Sequence, residues 1–391
     1  MPHSQTYSTL PAFFAKADID LAAFDQLCSQ TTNPEDYAMA RGIEQNVVIY
    51  DGDAMRKTLS DAEATARLKA ELCRCLRDGP GVFAIKKAYS DTNIIDQTTA
   101  IFKNIIAEEK ASGQERGDHF GSNERIWNSI QKACVNAPEL FIDYYGNELL
   151  ALAAQAWLGP HYQMTAQVNN VKPGNQAQAA HRDYHLGFQS TATSLQFPAH
   201  AQVMSQYLTL QGAIAHTNMP LESGPTLFLP FSQQYPPGYL AYRESEFKSY
   251  FAEHSVQLPF VKGDAVFFSP ALFHGAGTNT AQHDRMANLV QISSAFGRPM
   301  ETVNRHKMIE AVYPVLLDRA KQGDMSDRII ENSIAALADG YSFPTNLDSD
   351  PPIEGAAPET SQQLVHRALR EQWTLAELME AWDTYAQRRL A

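Results

Sequence analysis

Cysteine is scarce in this chain of 391 residues: Cys28, Cys73, Cys75 and Cys134 are the full complement. None is spaced as CxxC, so the sequence writes neither a redox pair nor a zinc clip. Cys73 and Cys75 stand two apart in a helical-looking stretch and should point in different directions, as packing residues do. Positive charge is also short, with 31 Lys and Arg against 44 Asp and Glu and a formal net charge of -13. That balance argues against a general nucleic-acid binder and against a polybasic membrane anchor. No apolar run is long enough to span a bilayer. Met1 to Pro11 lacks the charged-then-apolar pattern of a secretory signal. Internal repeats and low-complexity tracts are absent too. Together these absences predict a soluble protein in a reducing, cytoplasmic setting. The 44% hydrophobic content is ordinary for a globular chain, and a chain this long buries enough surface to fold without disulfides.

The pattern of elements changes twice along the chain. Up to about Asp61 it reads as irregular helical decoration. Helical spacing predicts helices over Ala62–Arg77, Thr92–Lys110 and Pro138–Leu158, with a short strand over Val82–Ile85. From about Gln163, β-rich runs separated by Gly, Pro and Asn predict strands over Gln167–Val171, Gln202–Ala215, Thr226–Leu229, Ala265–Phe268 and Asn288–Ala295. Helical spacing then returns over Thr302–Lys321 and Ser326–Leu337. Asp348–Pro358 reads as a connection, and Ser361–Leu390 as one or two helices. The expectation is one elaborated domain: a mostly helical region over 1–160, a β-sandwich or barrel core over 161–300 and a helical extension over 301–391. Leu364, Leu369, Trp373, Leu375, Leu378 and Trp382 of that extension read as intramolecular core rather than a partner face. The outer helices are otherwise candidates to cover the barrel mouth or to make a homodimer.

The chemistry concentrates in His181-Arg182-Asp183. Residues two apart on a strand point to the same face, so an imidazole and a carboxylate can address one ion. The apolar stretch Phe267 to Phe273 delivers a further imidazole, His274. Two histidines and one carboxylate form the facial triad of non-haem Fe(II) oxygenases, which leaves positions open for a cosubstrate and O2. Arg285 follows a Gly-rich segment after His274. Its guanidinium can grip a carboxylate in a bidentate fashion, which the far end of 2-oxoglutarate requires. On HxD alone, satisfied core or surface histidines remain an alternative; the added distant His and Arg make the set far more specific.

In this order and context, the motifs resemble the phytanoyl-CoA dioxygenase family. Lys172-Pro173-Gly174 and Gln178 precede the HxD motif, and Glu222-Ser223-Gly224-Pro225 leads to Pro230-Phe231-Ser232-Gln233. Lys262-Gly263-Asp264 then opens the strand that ends at His274. The resemblance covers roughly Gly81 to Gly297. It implies a mainly β core with flanking helices, a double-stranded β-helix (jelly-roll, cupin-like) fold. It implies Fe(II) on His181, Asp183 and His274, and 2-oxoglutarate held by Arg285. It implies a dioxygenase that oxidises, and in the simplest case hydroxylates, a small organic substrate with release of succinate and CO2. Two places depart from the family pattern: Ala276 stands where Ser or Thr is common, and Pro230-Phe231-Ser232-Gln233 replaces the usual PGSH-like turn. Asp183 is present where related halogenases carry Ala or Gly, which argues against halogenation.

Further candidates come from position alone. Gln167, Asn169 and Thr165 share one strand face and are candidates to bond cosubstrate or substrate, or else ordinary polar strand residues. Tyr184 and His185 follow the ligand pair and are candidate substrate contacts. Trp127 and Asn128, in the polar-aromatic stretch Asn123 to Ile130, are candidates for the pocket mouth, with a surface loop as the alternative. Other classes that fit the ligands are a cupin-type metal enzyme that does not use 2-oxoglutarate, and a non-catalytic small-molecule scaffold. No CoA-binding signature is visible.

Overall fold

The computed structural model describes residues 10–113, 123–352 and 357–390. Most of Met1–Pro11, and part of the Asp348–Pro358 connection, lie outside the described residues. Eleven strands are found among those described: β1 Gly42–Glu44, β2 Val47–Asp51, β3 Val82–Lys86, β4 Glu124–Ile126, β5 Gln163–Val171, β6 Thr209–Ala215, β7 Thr226–Leu229, β8 Val256–Gln257, β9 Ala265–Phe268, β10 Phe273–Ala276 and β11 Arg285–Ser293. The large sheet runs β1-β2-β3-β9-β6-β11-β5-β4, and the small one β10-β7-β8. Only the β2–β3 pair is parallel. A single antiparallel bridge between His181 and His274 adds the HxD segment to the small sheet beside β10. The sheets face each other, with Phe228 of β7 against Phe268 of β9 at 5.1 Å between ring centroids. This is the jelly-roll core with flanking helices that the motifs imply.

Side-chain alternation along the large sheet explains its position. In β11, Val290 and Ile292 pack with the helices, whereas Arg285, Ala287, Leu289 and Gln291 line the space between the sheets. In β6, Leu210 and Ile214 face the helices while Gln211, Ala213 and Ala215 face that space. The helix side is closed by Ala62–Arg77, Glu148–Leu158, Arg305–Gln322, Asp327–Leu337, Ser361–Arg370 and Leu375–Gln387. One apolar cluster runs from Tyr37 through these helices to Leu364, Leu378 and Trp382, so the C-terminal apolar stripe packs within the chain.

Several expectations are corrected. Val47–Asp51, read as helical decoration, is a buried strand, because Val48, Ile49 and Tyr50 of its apolar run pair with β3. Pro138–Leu158 is two helices: the first ends at Tyr145, Gly146 follows, and the Asn147 side chain caps Glu148–Leu158 by accepting from Leu149 N at 2.9 Å. Gln202–Ala215 is not one strand. Its first part belongs to the helix Ala199–Ser205, where the buried Gln202 amide donates to Ser194 O at 2.9 Å, and β6 begins at Thr209. The stretch read as one strand ending at His274 is two, β9 in the large sheet and β10 in the small one, and the final strand begins at Arg285 rather than Asn288. Glu124–Ile126, within a stretch read as loop, is an edge strand on β5.

Behind the large sheet, His216 is a core histidine. Its Nδ1 lies 2.8 Å from Thr99 Oγ1 and its Nε2 2.7 Å from Tyr144 Oη. Burial lowers its pKa to about 3, against about 6.5 in an unfolded chain. The unfolded state therefore takes up the proton first. His216 contributes stability above about pH 6.5 that is lost progressively as pH falls towards 3. His216→Phe should cost about 1–3 kcal/mol at pH 8, because it takes one hydrogen-bond partner from each of two hydroxyls, leaving Thr99 with Ile95 O and Tyr144 with Asn288 Nδ2, while urea midpoints between pH 6.5 and 4 should fall less steeply than in the unchanged protein.

Candidate metal centre

His181, Asp183 and His274 each offer a ligand atom, and these atoms lie within 4.8 Å of one another. The HxD segment is not a regular strand as expected; only His181 makes a bridge, and Asp183 stands in the turn that follows. Two backbone bonds across that bridge, His181 N to His274 O at 3.1 Å and His274 N to His181 O at 3.3 Å, bring the imidazoles together. Each ring is oriented locally. His181 Nδ1 lies 3.0 Å from Ala179 O and His274 Nδ1 lies 2.8 Å from Leu272 O. A carbonyl can only accept, so the proton sits on Nδ1 and the Nε2 lone pair is left for an ion. Those Nε2 atoms lie 3.8 and 3.4 Å from the Asp183 carboxylate oxygens. Burial works to raise the pKa of Asp183, but the two imidazoles and an amide outweigh it and hold the carboxyl well below the usual range. Burial, helped by the neighbouring His274, lowers that of His181. Two imidazole Nε2 atoms and a carboxylate are the donor set that a divalent cation takes, so these residues fit an iron(II) ion.

The amide is Gln211, whose Nε2 donates to Asp183 Oδ2 at 2.5 Å. It also approaches Gln291 Oε1 at 3.4 Å, and that oxygen accepts from Tyr184 Oη. Asp183 is thus held through one oxygen and keeps Oδ1 for the ion. Neither glutamine was a sequence-level candidate. The available signal was an amide at each place among otherwise apolar inward positions, Gln211 with Ala213 and Ala215, and Gln291 with Leu289 and Ala287.

These residues open on a cavity of about 240 Å³ between the sheets, which Arg285, Gln167, Asn169 and Trp127 also line. Arg285 starts β11 opposite Val171, and its Nη1 donates to Ser223 O at 3.2 Å. Among the described residues no carboxylate pairs with it. Burial lowers its pKa to about 10, so at neutral pH it is a desolvated cation facing a cavity, a setting that favours an anionic partner. Ala276, in the place of the usual hydroxyl, lines the cavity and donates its N–H to Gln178 Oε1 at 3.1 Å.

The remaining candidates divide. Gln167 Oε1 accepts from Arg125 Nη2 at 2.5 Å, and the Arg125 guanidinium lies 4.7 Å over the Trp127 ring. Asn169 is buried, and its Oδ1 has no hydrogen-bond partner among the described residues. Thr165 is not part of the cavity wall; its hydroxyl donates to Gln291 O at 3.0 Å. Tyr184 lies behind the wall, bonded to Gln291, and His185 turns away to Ser205 Oγ at 2.9 Å. Asn128 also stands off the cavity, with its N–H donating to Glu301 Oε1 at 2.7 Å.

The sequence profile of the phytanoyl-CoA dioxygenase (PhyH) family matches residues 52–287, a span that includes all three candidate ligands and Arg285. Among solved structures the chain is similar to the non-heme alpha ketoglutarate dependent carbocyclase SnoK from nogalamycin biosynthesis, at 20% identity over 59% of this chain and 86% of that one, with a TM-score of 0.42. It is similar to the epimerase SnoN from the same biosynthesis, at 18% identity over 60% and 85%, with a TM-score of 0.42. It is also similar to AviO1 from Streptomyces viridochromogenes Tue57, at 18% identity over 60% and 97%, with a TM-score of 0.43. No curated protein sequence matches the chain. Gln211→Leu, which removes the amide donor to Asp183, should weaken Fe(II) binding about 10–100-fold; anaerobic metal titration measures it.

Proposed function

Because the chain belongs to the phytanoyl-CoA dioxygenase family, we propose that it is an iron(II)- and 2-oxoglutarate-dependent oxygenase that hydroxylates a small organic substrate. The observation that carries this reading is the pairing, in one cavity, of a two-histidine, one-carboxylate cluster with a buried Arg285 that lacks an acidic partner among the described residues. Fe(II) on that cluster supplies the activation of O2, coupled to decarboxylation of 2-oxoglutarate to succinate and CO2. The chain's own residues do the positioning. His181 and His274 present Nε2 atoms whose orientation is fixed by the carbonyls of Ala179 and Leu272. Asp183 offers one oxygen while Gln211 holds the other. Arg285 receives the far carboxylate of the cosubstrate through charge-assisted hydrogen bonds. Val266, Phe268, Ala287 and Leu289 line the same cavity and keep water from the reacting atoms.

Trp127, Phe188 and Met300, each at least partly exposed, line the cavity together with Arg125 and Gln167, which suits a substrate with an apolar body and polar groups. A cytoplasmic location fits four free thiols, and no described helix is long and apolar enough to cross a membrane. The test is anaerobic addition of Fe(II) and then 2-oxoglutarate, followed by visible absorption. A weak metal-to-ligand charge-transfer band is expected. Arg285→Ala should raise the 2-oxoglutarate concentration needed for half the band about 10–100-fold, since a charged hydrogen bond contributes about 1.5–3 kcal/mol. Iron binding without the band would overturn the 2-oxoglutarate assignment.

A further inference from the structure

Arg182 stands between two of the ligands, yet its side chain runs away from them into the protein. It is 1% exposed and heads the largest fully buried side chains of the chain. Its Nη2 donates to Ser232 O at 2.7 Å and to Tyr235 O at 3.1 Å, while Nε has no partner among the described residues. The guanidinium carbon lies 5.2 Å from the ring centroid of Tyr239 and 5.3 Å from that of Phe273. Gly238 closes another side: a Cβ there would stand 2.0 Å from Cζ, so the fold reserves this position for glycine to admit the guanidinium. Among the described residues no carboxylate is paired with Arg182. A cation buried without an anion is costly, and an apolar side chain of similar volume is often at least as stable. Packing stability alone therefore does not account for an arginine here.

The adjoining turn supplies a reason. Tyr184 has φ 62° and ψ 160°, a region essentially confined to glycine, and His185 follows at φ 36°. Side-chain-bearing residues keep such conformations only where their surroundings hold them. The turn is pinned on one side by Asp183 N to Pro270 O at 3.0 Å, by Gly187 N to Tyr184 O at 2.6 Å, and by the Tyr184 and His185 side-chain bonds. Arg182 pins the other side. Its stacking partner Phe273 directly precedes the ligand His274, and Phe273 N donates to Ser232 Oγ at 2.8 Å, in the residue whose carbonyl Arg182 grips. One buried guanidinium thus ties both ligand-bearing segments to the Ser232–Tyr235 turn.

We propose that Arg182 is a positioning residue of the metal centre: docked between Tyr239 and Phe273, it holds the strained turn that sets Asp183 opposite His181 and His274. The inference rests on the assignment of these three residues as metal ligands. Its test is Co(II) titration of the metal-free protein, read by visible d–d absorption, with thermal unfolding of the metal-free form in parallel. Arg182→Met should bind Co(II) about 10–100-fold more weakly, with altered band intensity as Asp183 leaves the ion, while its unfolding temperature stays the same or rises. Arg182→Lys, which keeps a donor for one carbonyl but not the planar stack, should fall between the two. Gly238→Ala keeps the charge and pushes the guanidinium out of place, so it should lose affinity similarly and serves if Arg182→Met does not fold. Co(II) affinity within about twofold of the unchanged protein in either folded variant would reduce Arg182 to packing and overturn the proposal. Failure of the unchanged protein to bind Co(II) would overturn the ligand assignment itself, and the inference with it.

Discussion

Two backbone hydrogen bonds between His181 and His274 join segments that are far apart in sequence. The candidate metal centre depends on this pairing. It places two imidazoles at 4.4 Å between ring centroids, and it attaches an irregular segment to the edge of the small sheet. Neither histidine is oriented by distant groups. Each Nδ1 faces a carbonyl two residues back along its own segment, so forming the bridge also fixes both tautomers. What the bridge does not fix is Asp183, which lies past the paired residue. Its direction comes from Gln211 on the opposite sheet and from a turn whose backbone is held in unfavourable conformations. The centre therefore joins a stiff pair of ligands to one that the surroundings must hold.

The large sheet divides two environments that a single residue step separates. Odd-numbered residues of β11 and of the second half of β5, such as Gln167, Asn169, Arg285 and Gln291, face the cavity; even-numbered ones, such as Ala166, Val290 and Ile292, face the helices. A one-residue slip would carry Arg285 out of the cavity and into the apolar layer. The outer helices matter to the site for this reason. The cluster running from Tyr37 to Trp382 fixes the register of the strands that carry the cavity residues. Arg182 and Arg285 are both buried guanidiniums without an acidic partner among the described residues, but their settings differ. Arg182 is enclosed by rings and carbonyls, whereas Arg285 opens on the cavity.

The candidate ligands, which the fold brings together, were legible in the sequence because imidazole and carboxylate at HxD, with a distant His and a following Arg, form a rare combination. Their supporting groups were less so. Gln211 sits on a strand that the apolar texture merges with the preceding helix, so its inward position could not be phased. β2 is buried along most of its length and reads as a continuous apolar run without alternation, so it was missed, whereas the equally buried β9 was found over Ala265–Phe268. Arg182 gave no signal, since an arginine beside two polar ligands reads as solvent-facing until the fold encloses it. Thr165, His185 and Asn128 shared a strand face or adjacency with functional residues, yet local hydrogen bonds take each of them elsewhere. Sequence spacing identifies which residues can reach one ion; only the packed turn and sheets determine which neighbours support them.

The central claim is that one ion is held by two imidazoles and a single carboxylate oxygen, with Arg285 fixing the cosubstrate across the same cavity. An anaerobic crystal structure with Fe(II) and 2-oxoglutarate tests it most directly. The account predicts iron on His181 Nε2, His274 Nε2 and Asp183 Oδ1, with the far carboxylate of 2-oxoglutarate on the Arg285 guanidinium. Iron bound without Asp183, or 2-oxoglutarate lying away from Arg285, would contradict it.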